Sequence, residues 1–95
     1  MNDGLKQIQR AVERAAECSA KHAESVPVME MFRGQTVWEG VVESFTLDGH
    51  PKAKRAYGLG YQDGKETRYV AVLEIPPVNS PNTAVRAAIA SGAQK

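Results

Sequence analysis

The chain has little of what marks a specialised protein. Cys18 is its one cysteine in 95 residues, which rules out an internal disulfide and fits a reducing compartment such as the cytoplasm. Long hydrophobic runs are missing: none approaches the roughly 18 residues needed to cross a bilayer. The opening stretch is polar and amphipathic rather than leader-like, so neither membrane insertion nor export is expected. An excess of one charge is missing too, because 12 Lys and Arg stand against 11 Asp and Glu for a net charge of +1. Dedicated nucleic-acid binders carry a strongly basic balance, so any basic surface here has to be local. Internal repeats and low-complexity tracts are absent. What remains is a globular composition, 42% hydrophobic and 24% charged, in a length of 95 residues that suits one domain, 1–95, with one modest core.

From Asp3 to about Ala23, Leu5, Ile8, Val12, Ala15, Ser19 and His22 recur at alternating spacings of three and four. That is the period of one helix face. Asn2 or Asp3 is placed to cap the first amides, and the Glu17 to Lys21 pair supports the exposed side. The spacing predicts a helix over 3–23, whose seam opens on Leu, Ile and Val and then shrinks to Ala and Ser. Such a seam lets its second half approach a sheet or another helix closely. Pro27 ends any helix, and Val28 to Phe32 reads as a short edge strand before a turn at Arg33 and Gly34.

Three β-prone segments follow, Thr36 to Leu47, Ala53 to Gln62 and Glu66 to Ile75, separated by Asp48-Gly49 and Asp63-Gly64. Asp-Gly between such runs signals a hairpin, because a tight turn needs positive φ at its centre. With two-residue loops, Gln62 pairs with Lys65 and Leu47 with His50. Gly58 then faces Tyr69, Gly40 faces Tyr57, and Glu43 opposes Lys54; a ring shielding a strand glycine and a cross-strand ion pair are both favourable. A longer loop through Asp48, Gly49, His50 and Pro51 would shift the first pairing and separate Glu43 from Lys54. Pro76-Pro77 stops the last strand, and Ser80-Pro81 reads as an N-cap followed by proline in the first turn of a second helix. Ala84, Val85, Ala88 and Ile89 form its apolar stripe, and it ends near Gly92. The expected architecture is α+β: a helix, three or four antiparallel strands (about 28–32, 36–47, 53–62 and 66–75), and a helix over about 81–91.

In this register one sheet face carries Trp38, Val42, Tyr57, Leu59, Val70 and Val72. The other carries Val37, Val41, Phe45, Ala56, Tyr69, Ala71, Leu73 and Ile75. Two short helices cover about one face of such a sheet, while the pattern supplies apolar residues for two. Either the helices divide between the faces, or the sheet curls round one core, or an apolar surface pairs with a second copy or another protein. The face bearing Trp38, Val42, Tyr57, Leu59 and Val70 is where either the main core or the interface is expected. Aromatic anchors carry disproportionate burial energy in both settings.

Constellations for chemistry are thin. Cys18 and His22 lie four apart, a spacing that puts two metal ligands on one helix face, but no further Cys or matched His completes a set. A Cys18–His22 dyad in mid-helix would lack an oxyanion site. Of the carboxylates Glu39, Glu43 and Glu74, the first two share a face but fall beyond hydrogen-bond contact, Lys54 is the expected partner of Glu43, and all three read as structural or solvated groups. Gly58-Leu59-Gly60 lacks the third glycine of a phosphate-cradling loop and suits sheet curvature or close backbone approach instead. No cofactor and no enzymatic activity are expected.

The segment His50-Pro51-Lys52-Ala53-Lys54-Arg55 is the local basic cluster, with four potentially cationic side chains in six residues. Joined to the order of elements, it resembles the double-stranded RNA-binding domain, where a helix, three antiparallel strands and a second helix carry a histidine-and-proline loop between strands one and two. Gly49, His50 and Pro51 would occupy that loop, and the resemblance implies contact with structured RNA through His50, Lys52, Lys54 and Arg55. That family's decisive phosphate contacts come from a lysine cluster opening the second helix, where this chain has Ser80-Pro81-Asn82-Thr83-Ala84-Val85-Arg86. Without that cluster most of the binding energy is lost. The function expected is a small non-enzymatic interaction module that forms a homodimer or binds another protein, with nucleic acid as the alternative partner.

Overall fold

The computed structural model describes residues 3–90, so the cap at Asn2 and the helix end near Gly92 lie outside the described residues. The elements run α1 (Asp3–Ala16), β1 (Ser19–Phe32), β2 (Gln35–Asp48), β3 (Arg55–Asp63), β4 (Glu66–Leu73) and α2 (Pro81–Ala90). The four strands form one antiparallel sheet in the order β1-β2-β3-β4. Ala56 packs in the cluster of Ile8 and Val12 from α1, while the next residue, Tyr57, packs in that of Val85 and Ala88 from α2. Successive strand residues point to opposite faces. The two helices therefore cover opposite sides of the sheet, and each builds its own core.

The first helix stops at Ala16, seven residues short of the expected Ala23. Its last turn closes with a 2.8 Å bond from the Glu17 amide to the Glu13 carbonyl, and Glu17 then adopts a left-handed conformation at φ 56°, the usual way a helix is ended. Two α1 side chains hold the outgoing chain: Glu13 accepts the Ala20 amide at 3.1 Å and Gln9 donates to the Ala20 carbonyl at 2.8 Å. Residues 19–32 form one long strand rather than helix plus short strand. Pairing with β2 decides this, since Ala20 and His22 lie opposite Leu47 and Phe45. Alanine and serine fit either conformation, and tertiary pairing overrides their weak preference. Pro27 sits within β1 because β1 is a sheet edge, where a missing amide costs no ladder bond.

An extra residue in β1, Ala23, lies between the pairs His22 with Phe45 and Glu24 with Ser44. This bulge transfers the even-numbered residues of β1 from one face to the other. Ala20 consequently packs in the α1 core and Val28 in the α2 core.

Both expected registers are displaced by an even number of residues. The last turn centres on Gly64-Lys65, not Asp63-Gly64, so Asp63 pairs with Glu66, Gly60 with Tyr69 and Gly58 with Ala71. The loop after β2 is the longer alternative: Glu43 pairs with Gly58 and Phe45 with Ala56, and the expected Glu43–Lys54 ion pair does not form. Its geometry is held by His50, whose Nδ1 accepts the amides of Lys52 at 3.0 Å and Ala53 at 2.8 Å. The glycines still lie under rings, but different ones. Tyr69 covers Gly60, and Trp38 folds over Gly40 of its own strand. The second helix begins as expected, with Ser80 Oγ accepting the Thr83 amide at 3.2 Å and Thr83 Oγ1 accepting the Ser80 amide at 2.9 Å.

Gly58 fixes where α1 lies. A Cβ there would stand 2.0 Å from Cγ2 of Ile8, so the helix seats directly on β3 backbone between Ala56 and Gly60. We predict that Gly58→Ala lowers unfolding free energy by about 2 kcal/mol through overpacking. The double variant with Ile8→Ala should lose less than the sum of the two single losses, as shifts of the denaturation midpoint for single and double variants will show. Fully additive losses would mean that the two residues do not press on one another.

Candidate functional site

Of the two roles left open for the aromatic face, the structure gives it that of core. Trp38, Val42, Tyr57 and Leu59 are buried under α2, with Trp38 only 5% exposed, and Val70 is half-buried beside them. Within the folded chain Trp38, Val42, Tyr57 and Leu59 present almost no surface. Trp38 also bridges a split in the sheet. β2 pairs with β3 only over Glu43–Thr46, and the indole Nε1 donates to the Gly60 carbonyl at 3.2 Å across the gap beyond.

Two ionisable groups in this core are perturbed, the signature that often marks catalytic sites. Burial first, and then the hydrogen bond it donates to Glu74, push the Tyr57 phenol up to about 12, with Arg55 opposing the shift. At the other end of α2, the Arg86 guanidinium holds the Glu30 carboxyl below its usual range; Asn82 adds a second hydrogen bond, and burial pulls the other way. Arg86 Nε lies 2.9 Å from Glu30 Oε1. Each group is satisfied by a partner that ties strand to helix or strand to the segment after β4. No nucleophile accompanies either one, and they act as fasteners.

The cysteine and histidine expected on one helix face are separated by the end of α1. Cys18 lies in the turn and packs against the α1 core. His22, in β1, rests edge-on against Phe45 at 5.5 Å between ring centroids. His22 joins a cluster that the spacing in sequence did not suggest: Glu43 Oε1 lies 2.8 Å from His22 Nε2 and accepts from Ser25 Oγ at 2.5 Å. The types match a serine, histidine and acid triad, but the wiring does not. Ser25 and Glu43 address the same ring nitrogen, Nε2, at 3.4 and 2.8 Å, whereas a triad needs the acid on one nitrogen and the nucleophile on the other. Among the described residues, no group of three or more His, Cys, Asp or Glu is placed to hold a metal ion.

The basic turn is exposed at Lys52, Lys54 and Arg55. His50 is committed through Nδ1 to the loop backbone, and Arg55 lies close to the Tyr57–Glu74 pair. Two lysines are left to face a partner there.

The uncovered apolar surface lies elsewhere. Beyond Val42, β2 has β1 as its strand partner, so the two form an arm. Trp38, Val28 and Glu30 lie on the side covered by α2. On the reverse side Met29 and Val41 are exposed, and Met31, Phe32 and Val37 are exposed toward the tip. Phe32 is 62% exposed, with the Arg33 guanidinium 5.2 Å from its ring centroid. The tip turns tightly because Arg33 and Gly34 both take positive φ, 54° and 79°, the geometry of a two-residue hairpin turn. Beside Phe32, a groove of about 500 Å³ runs between Met31, Val37, Glu30 and the α2 residues Arg86, Ile89 and Ala90. Val37 and Val41 were on the face marked apolar by alternation. Met29, Met31 and Phe32 fall in the expected short strand 28–32, and the sequence signal for their exposure is that no helix is left to cover them.

No family model, curated protein or solved structure matches the chain. Among the described residues, no helix is long and apolar enough to cross a membrane.

The two fasteners give opposite pH signatures. Tyr57 ordinarily ionises near 10 but near 12 when folded, so its contribution is complete below pH 10 and is lost as pH rises from there toward 12. Denaturation across this window should show a fall in stability that Tyr57→Phe removes. For Glu30 the folded value is lowered from 4.5, so its contribution is present above that pH and is lost as pH falls below it. Glu30→Gln should flatten the acid limb of the stability curve, and an unchanged limb would show that Arg86 contributes nothing there.

Proposed function

We propose that this protein is a non-enzymatic interaction module that self-associates, and that the joining surface is the exposed apolar patch of the β1–β2 arm and its tip. The observation that carries this is the concentration of exposed large apolar side chains. Met29, Met31, Phe32, Val37 and Val41 are all on this one hairpin, and Ile75 is the remaining large apolar residue exposed to a similar degree among the described residues. Together the five present on the order of 500 Å² of apolar surface, a patch size that on a monomer commonly marks a binding site.

A second copy is the partner that the surface fits. The arm bears an exposed aromatic ring, Phe32, that itself lines an apolar groove at the tip. It also bears both charges: Glu39 is exposed in the row of Met29, and Arg33 stands at the tip. Apposing two arms about a two-fold axis brings each tip toward the other's groove and each Arg33 toward the other's Glu39, the self-complementarity that an isologous dimer requires. Methionine suits such a surface because its side chain adapts to an imperfect fit. The area falls short of the about 800 Å² per partner in a standard interface, so the dimer is weak and dependent on concentration.

The test is solution mass by light scattering or sedimentation across a concentration series, for the wild type and for Phe32→Ser and Val41→Lys. Both substitutions fall on exposed side chains, and circular dichroism confirms that the variants remain folded. The expected outcome is a dimer fraction that rises with concentration and is lost in both variants. A strictly monomeric wild type at high micromolar concentration would contradict the proposal, as would a dimer indifferent to both substitutions.

A further inference from the structure

The geometry points to a binding site for a small phosphorylated ligand of nucleotide size on the side of the molecule that carries α1. A cavity of about 460 Å³ opens between α1 and the β3–β4 hairpin, lined by Gln7, Arg10, Ala11, Arg14, Tyr61, Arg68 and Tyr69. Its volume lies in the usual range for small-molecule sites, about 300 to 1,000 Å³. The charge of its walls is what sets it apart. Three guanidinium groups line it and, among the described residues, no carboxylate does, in a chain whose charges otherwise balance at 12 basic to 11 acidic.

This segregation is built by two elements. Arg10 and Arg14 are one helical turn apart and share a face of α1, where like charges repel unless an anion lies between them. Arg14 lies in the last turn of α1, where the helix dipole favours a cation; Arg10 has no such reason for its place. Neither makes an ion pair with a carboxylate of the described residues. Arg68 enters from β4.

Planar guanidinium forks suit phosphate oxygens, which they bind in pairs. Tyr61 and Tyr69 give the cavity half-buried aromatic walls, and Tyr69 is held in place over Gly60. Such walls accept the π-face of a base. Phosphate on the arginines and a heterocycle against the tyrosines together define a nucleotide. The surface is separate from the β1–β2 arm, so this assignment stands or falls independently of self-association.

The experiment is calorimetric titration of the full chain with ADP, adenosine and inorganic pyrophosphate, at low and at physiological salt. The wild type is compared with Arg10→Ala/Arg14→Ala, whose side chains are exposed and whose fold is checked by circular dichroism. The expected result is saturable ADP binding that weakens with salt and falls about tenfold or more in the double variant, pyrophosphate weaker than ADP, and no binding of adenosine. An absence of saturable ADP binding at millimolar concentration would overturn the assignment, as would binding unaffected by the double variant. Pyrophosphate as tight as ADP would overturn its nucleotide part. A single-stranded oligonucleotide that binds where ADP does not would likewise overturn it, in favour of a nucleic-acid surface.

Discussion

The contact on which the structure depends most is that of Ile8 with the bare backbone of Gly58. Side chains on the α1 side of β3 are Ala56, Gly58 and Gly60, so this strand offers a shallow trough, and the helix sinks into it until a methyl group of Ile8 occupies the space of the missing Cβ. Close approach of this kind increases the dispersion contacts on both surfaces. It also fixes α1 over β3 and β4. With only Asp3–Ala16 in helical form, a length of roughly 21 Å at 1.5 Å per residue, α1 leaves the far part of the arm uncovered.

The other face obeys a complementary rule. Where β3 has small residues toward α1, it has Tyr57 and Leu59 toward α2, and these large side chains meet the small ones of Ala84 and Ala88. Large side chains set against small ones let each short helix seat closely on the sheet. The arm is supported from this side alone, by Trp38, Val28 and the Glu30–Arg86 pair. Two-stranded ribbons are marginal in isolation, so these contacts are what keep it in place while its reverse side remains exposed. The exposed apolar patch follows from helix length and placement, and the proposed dimer is the means of covering it.

Much of this was legible in the residues, for reasons that can be named. Alternation sorted Trp38, Tyr57, Leu59 and Val70 from Phe45, Ala56, Tyr69 and Ala71 correctly even though both hairpin registers were displaced. The displacements were by even numbers of residues, which preserve facing. Ser80 and Pro81 announced α2 through local capping chemistry. What was not legible depended on contacts distant in sequence. Residues 17–23 fit a helical period, and only pairing of Ala20 and His22 with Leu47 and Phe45 makes them a strand. The bulge at Ala23 leaves no compositional trace, yet it decides which core β1 serves at each end. The aromatic face was legible as core or interface but not which of the two, because that depends on where the helices sit: divided between two faces, they bury the large residues and leave the hairpin tip, not the sheet centre, without a cover.

The central claim is that the uncovered side of the arm joins two copies of this chain. The most direct measurement is a dilution series of amide nuclear magnetic resonance spectra, which reports each residue's environment in monomer and dimer. The account predicts concentration-dependent shifts concentrated over residues 29–41, with the amides of α1 and β4 unchanged. Shifts clustered on α1 or β4, or none at any concentration, would contradict it.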